Sequence, residues 1–131
     1  MKIEMHAHTS QVSPCAWVPA AEVIRQYHKN GYQGIVITDH YNQPVIEGFP
    51  GSWKEKAAAY LKGYLAACEE AQKWGMTVLF GIETCLAGGV EDFLIYGASP
   101  DMILEYPKLY EMSQEELFHI CDEMGVLLIQ A

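Results

Sequence analysis

The sequence predicts an α/β fold, a parallel sheet with helices packed over it. Three observations carry this. Apolar runs rich in β-branched residues, such as Ile35-Val36-Ile37 and Val126-Leu127-Leu128-Ile129, are bounded by glycines and polar turn residues. Between them lie stretches whose apolar residues recur at spacings of three and four. The alternation extends along 131 residues of which half are apolar, enough for about one domain with a real core.

The elements follow in order. Residues 2–6 read as a strand, Lys2-Ile3-Glu4-Met5-His6. Pro19 to Asn30 reads as a helix, with Pro19 in its first turn and Val23, Ile24 and Tyr27 on one face. Asn30-Gly31 stops it. Residues 34–38 form a buried strand. Tyr41 to Ser52 contains Pro44, Gly48, Pro50 and Gly51 and reads as a loop. A long helix runs from about Trp53 to Trp74, its apolar face set by Ala57, Tyr60, Leu61, Tyr64, Leu65, Cys68 and Ala71. Residues 76–82 are the next strand. Gly88-Gly89 marks a turn before the short strand 93–96. Ser99-Pro100 opens a short helix ending near Pro107. Ser113 and Glu116 make a capping box for a helix to Met124, and Gly125 ends it. Val126 to Ile129 begins a further buried strand that runs almost to Ala131. A domain stopping in mid-strand predicts that the chain is the N-terminal piece of something longer.

The charge balance narrows the partners. With 8 basic and 17 acidic side chains the formal net charge is −9, which disfavours nucleic acid and anionic membranes as partners. No apolar run approaches the ~18 residues that a membrane span needs. The start Met1-Lys2-Ile3-Glu4 is too polar for a secretory leader, so a cytoplasmic protein is expected. Cys15, Cys68, Cys85 and Cys121 are widely spread and read as reduced thiols.

The chemistry sits where strands end, since α/β folds build sites at the carboxyl ends of their strands. His6-Ala7-His8 closes the first strand. Residues i and i+2 of a strand point the same way, so both imidazoles can reach one metal ion. Thr38-Asp39-His40 follows the second strand, and Glu83 follows Gly81-Ile82 at the third. Each has a plainer reading: Asp39 in a strand-exit turn, Glu83 as a surface partner of a lysine. Together they predict a metal centre of His6, His8, His40 and Glu83. Cys15, in the loop after the first strand, is a further candidate ligand or an inert thiol, and Cys85 is a weaker one. Imidazole and carboxylate donors suit Zn, Mn or Fe better than Ca or Mg. Such an ion brings the pKa of its water from ~16 toward ~7 and can hold substrate oxygens. His28 and His119, on helices, are assigned no role. Tyr41 and Tyr96, near strand ends, read as core residues.

His6-Ala7-His8-Thr9, Ile37-Thr38-Asp39-His40 and Gly81-Ile82-Glu83 resemble, in order and spacing, the first three motifs of the PHP (polymerase and histidinol phosphatase) superfamily. The resemblance implies a distorted seven-stranded (β/α) barrel, of which this chain would hold the N-terminal portion. It implies up to three divalent ions, with His6 and His8 on one, Glu83 bridging to a second and His40 helping to hold a third. Asp39 would orient its neighbours. The chain departs from the family pattern in the loop after the first motif, where Ser13 and Cys15 stand in place of a His or Asp. It also has no histidine after Phe93-Leu94-Ile95-Tyr96. The later motifs, including an expected Ala-His-Pro, would lie beyond Ala131.

The expected function is therefore metal-dependent hydrolysis of a small phosphorylated metabolite, with one domain over residues 1–131. Two alternatives stand beside it. One is an amidohydrolase-like metallohydrolase; a metal-bridging lysine after a later strand would favour it, and no lysine here follows a strand end. The other is a non-catalytic PHP module with a degenerate metal site.

Overall fold

The computed structural model describes residues 1–131. Five strands form one curled half-barrel sheet in the order β1-β2-β3-β4-β5: β1 (Ile3–Ala7), β2 (Gly34–Ile37), β3 (Thr77–Cys85), β4 (Asp92–Tyr96) and β5 (Leu127–Gln130). Helices α1 (Ala20–Lys29) and α3 (Trp53–Gln72) pack over the β1–β3 half. Short helices α2 (Gln43–Gly48) and α4 (Met102–Glu105) and α5 (Gln114–Met124) complete the other half.

Sense along the sheet corrects one expectation. β1–β2 and β2–β3 pair in parallel, but β3–β4 and β4–β5 are antiparallel. The sheet is therefore not all parallel: β4 alone is reversed. The reason is length. Only residues 86–91 separate β3 from β4, and a parallel crossover needs about a dozen or more. A hairpin is the connection that fits, with Gly88 at φ +82° in its turn.

Three further expectations change. The Tyr41–Ser52 loop contains α2, because the Asn42 side chain accepts from Val45 N–H and Pro44 suits the first turn. β3 continues to Cys85, so Glu83 lies within the strand, paired across to Leu94 of β4. β5 is not buried: Leu127 is 57% and Ile129 42% exposed, because it is an edge of the sheet.

The buried stripe of α3 is also rotated from the expected one. It runs through Ala57, Tyr60, Gly63, Ala67, Glu70 and Ala71, while Leu65 faces water. Gly63 is what lets this helix approach the sheet. A Cβ there would overlap Thr9 Oγ1 and lie 2.7 Å from Asp39 Oδ2. The helix thus sits directly on the segments that follow β1 and β2. On its N-terminal side the capping box of Ser52 and Glu55 fixes its start.

Candidate metal centre

The backbone brings the three motifs to one mouth. Past β2, Tyr41 N–H donates to Glu83 O at 2.6 Å and Glu83 N–H to Asp39 O at 3.3 Å. This bridge puts His40 beside Glu83. Thr38 N–H donates to Ala7 O, tying the end of β2 to the His6-Ala7-His8 segment. Thus the sheet register itself sets which side chains meet.

They meet on Glu83, which is only 4% exposed. His6 Nε2 lies 3.3 Å from Glu83 Oε1, and His8 Nε2 lies 3.2 Å from Oε2. His6 Nε2 and His8 Nε2 are 3.1 Å apart. His40 Nδ1 lies 3.1 Å from Glu83 Oε2, yet both atoms are buried with no hydrogen-bond partner. These are ligand-type atoms aimed at shared points. Ligands at ~2.0–2.1 Å on a tetrahedral ion are about 3.3–3.4 Å from one another. The measured edges fit that spacing to within a few tenths of an ångström. A buried, unpaired carboxylate is costly, and a cation is what would compensate it.

Three overlapping groups have ligand atoms within 4.8 Å of one another: His6, His8 and Glu83; His8, Cys15 and His40; and His40, Glu83 and Asp92. The sequence-predicted set His6, His8, His40 and Glu83 is therefore brought together. Cys15, though exposed, falls beside it. Cys85 joins none of these groups; its thiol faces Leu86 O and Gly89 O. Glu83 is no surface partner of a lysine. His119, exposed on α5, lies 3.7 Å from Glu115. His28 packs against the Trp74 ring. Tyr41 is fully buried core, and Tyr96 donates to Met5 O.

Asp39 does not reach Glu83's partners with its own carboxylate. Instead, it organises them. Its Oδ1 accepts from Thr9 N–H at 2.6 Å and Ser13 Oγ at 2.7 Å, and its Oδ2 from Thr9 Oγ1 at 2.7 Å. Tyr60 OH donates to Asp39 O. Burial pushes the Asp39 carboxyl above its ordinary range, against the downward pull of the Thr9 and Ser13 hydrogen bonds. The plainer reading of Asp39, bonding local backbone, is thus partly right, but the loop it fixes is the one after β1.

Ser13 carries a tautomer argument. Its one proton goes to Asp39 Oδ1, so it can only accept from His40 N–H, at 3.0 Å, and from His8 Nδ1, at 3.3 Å. His8 must then hold its proton on Nδ1, which leaves the Nε2 lone pair toward His6 and Glu83. Burial, then the neighbouring His40 and His6, lower the His8 pKa to about 4. His8 is therefore a neutral donor at pH 7, the form a metal needs.

Sequence reasoning missed three contributors. Thr9 and Ser13 are common hydroxyls in a loop, and nothing in their spacing marks them. Asp92 was findable: the short turn at Gly88-Gly89 reverses β4, so its first residue, not its last, returns to the mouth.

The family model of the PHP domain matches residues 4–124. The chain belongs to the PHP domain family. The PHP chain is 33% identical over 85 residues to a protein of Latilactobacillus sakei named DNA polymerase III PolC-type; that match spans 65% of this chain and 5% of the polymerase. Among solved structures it resembles a two-domain protein from Bacteroides vulgatus containing a predicted PHP-like metal-dependent phosphoesterase. The TM-score is 0.64 at 18% identity, over 98% of this chain and 34% of that one. It also resembles an amidohydrolase from Chromobacterium violaceum, with TM-score 0.53, 19% identity, and coverage of 76% and 29%. At these identities the solved structures establish the fold: this PHP chain corresponds to about a third of each. No helix in it is long and apolar enough to cross a membrane.

Proposed function

We propose that this chain carries a metal-binding site of a phosphoesterase that hydrolyses a small phosphorylated substrate. The carrying observation is the convergence of His6, His8 and His40 on buried Glu83, whose Oε2 has no hydrogen-bond partner. Zn, Mn or Fe suits this donor set. A divalent ion held there would acidify a coordinated water and neutralise phosphate oxygens.

The protein's own residues divide the work. His6, His8 and Glu83 would hold one ion, and Glu83 would share its second oxygen with the His40 side. Cys15, as thiolate, would complete the His8–His40 group. Ser13 keeps the His8 proton on Nδ1. Asp39 fixes Thr9 and Ser13, and so the loop that aims His8. The curled sheet and α3 exclude water from the back of Glu83.

The test is divalent-cation-dependent phosphate release from phosphomonoesters by the 131-residue chain and by any longer form containing it. The expected result is activity with Mn or Zn that EDTA and Glu83→Gln both remove. Metal-loaded protein with no hydrolysis would favour the non-catalytic module. The polymerase relative keeps a second substrate class in view, the phosphodiester or phosphate at an oligonucleotide end. The neighbour named as an amidohydrolase keeps C–N hydrolysis in view. Parallel assays on a phosphomonoester, an oligonucleotide and a cyclic amide separate the three.

A further inference from the structure

We propose that the group esterified to the substrate's phosphate is an uncharged aromatic ring, seated in a cleft beside the metal centre with Trp17 as its platform. This rests on the phosphoesterase reading above. The cleft has a volume of about 280 Å³ and shares His6, His8 and Cys15 with the metal centre. An apolar cavity of about 150 Å³ holds a benzene ring, so there is room for a ring and its substituents. Ala7 and Val23, both buried, form the floor, and Trp17, Val18 and Tyr27 stand around it.

The lining decides the chemistry of the occupant. No Asp, Glu, Lys or Arg faces the cleft, although the chain as a whole carries a net charge of −9. A charged group entering it would lose water with nothing to replace it. Tyr27 does not alter this. Burial, then a hydrogen bond to Glu4, push its hydroxyl up to about 12, so it is neutral at pH 7. Its ring is backed edge-to-face by Tyr32, with centroids 4.8 Å apart. Two aromatic walls favour an aromatic occupant, since ring pairs gain more than their buried area alone.

Trp17 is 92% exposed. A single exposed apolar side chain is ordinary on a protein surface. Trp17 differs in being held at the rim of a cleft that opens onto ligand-type histidines. Ala16 N–H donates to Ser13 O and Ser10 N–H to Val18 O, each at 3.0 Å, which brackets Trp17 on both sides. Ser13 in turn donates to Asp39, and Val18 leads into Pro19 at the start of α1. The backbone under the indole is thus fixed before anything binds. A ring that enters covers indole surface otherwise left in water, with little loop ordering to offset the gain.

The experiment is isothermal titration of the full 131-residue chain, loaded with Zn or Mn, with phenylphosphonate and with methylphosphonate. These share a headgroup and differ by the ring. Wild type is expected to bind phenylphosphonate at least ~10-fold more tightly. Trp17→Ala is expected to lose most of that preference, and Trp17→Phe to keep most of it. Leu65→Ala, an exposed apolar truncation on α3, should leave the preference as in wild type. Equal affinities in wild type, or an unchanged preference in Trp17→Ala, would overturn the proposal while leaving the metal centre intact. Metal-loaded wild type that binds neither phosphonate would instead overturn the phosphoesterase reading itself.

Discussion

Gly63→Ala should destabilise this protein, although the same change in most helices stabilises it. Alanine in a helix interior is favoured over glycine by about 1 kcal/mol. Gly63, however, faces the site loop. Its new Cβ would overlap Thr9 Oγ1, approach Asp39 Oδ2 to 2.7 Å and lie 3.1 Å from Thr9 Cβ. Neither neighbour can move aside freely. Thr9 is β-branched and its hydroxyl and amide both donate to Asp39, which also holds Ser13. Overpacking of this kind costs about 1–3 kcal/mol, and losing a hydrogen bond to a buried carboxylate about 1.5–3 kcal/mol. After the helix gain is subtracted, a net loss of about 1.5–5 kcal/mol is expected. Urea unfolding of the metal-free chain, followed by circular dichroism, measures it. Thr9→Ala removes the overlapping oxygen, so Gly63→Ala should cost at least ~1 kcal/mol less in that background. A stabilised Gly63→Ala, or strictly additive effects in the double variant, would refute the close approach.

Ser13→Ala should leave the fold nearly intact but weaken metal binding about 10–100-fold, since it frees the His8 tautomer; isothermal titration with Zn or Mn checks this. Asp39→Asn should cost about 1.5–3 kcal/mol in urea unfolding, because an amide cannot accept all three of the Thr9 and Ser13 hydrogen bonds. Metal-free stability should rise with pH between about 4 and the ordinary histidine value. His8, lowered to about 4, binds its proton in the unfolded chain before the folded one, so its contribution is complete above ~6.5 and lost as pH falls toward 4. The size is at most about 3 kcal/mol, and His8→Gln should flatten that limb. Saturating metal should raise the thermal midpoint by mass action, about 2.7 kcal/mol at a hundredfold excess over Kd, and Glu83→Gln should abolish that rise.

The half of the site carried by periodicity was legible in the sequence. His6 and His8 share a face because strand side chains alternate, and that rule survives the irregularity between Glu4 and Ala7. Asp39 and His40 were legible because an apolar run stops at Ile37 and polar ligand types follow at once. Glu83 was found as well, though for a slightly wrong reason, since β3 runs two residues past it. Strand sense was less legible. Apolar runs between helices suggest parallel pairing, and only the short Gly88-Gly89 connection argues otherwise. The turn itself is plain in the sequence, but read with parallel pairing it places the expected ligand after β4 rather than before it. The positioning hydroxyls of Thr9 and Ser13 left no trace, because their partners lie about 30 residues away and are set by tertiary packing. The stripe of α3 shows the same limit: Gly63 and Glu70 are buried, and no apolar period announces them.

The acidic balance of the chain and the character of the site fit one electrostatic argument. A formal charge of −9 makes the burial of further carboxylate unfavourable, yet Glu83 and Asp39 are 4% and 2% exposed. Glu70, the other buried acid, is met by Lys73 at 2.7 Å, Trp74 Nε1 at 3.1 Å and Arg25 at 3.2 Å, which hold its carboxyl low, at about 2. Asp39 is met by three hydrogen-bond donors. Glu83 has neither lysine nor arginine beside it, only three imidazoles, of which His8 is held neutral. Two buried acids are thus satisfied by the protein itself and the third is not. The unmet charge lies where three histidines and Asp92 converge, and a bound cation is what would balance it.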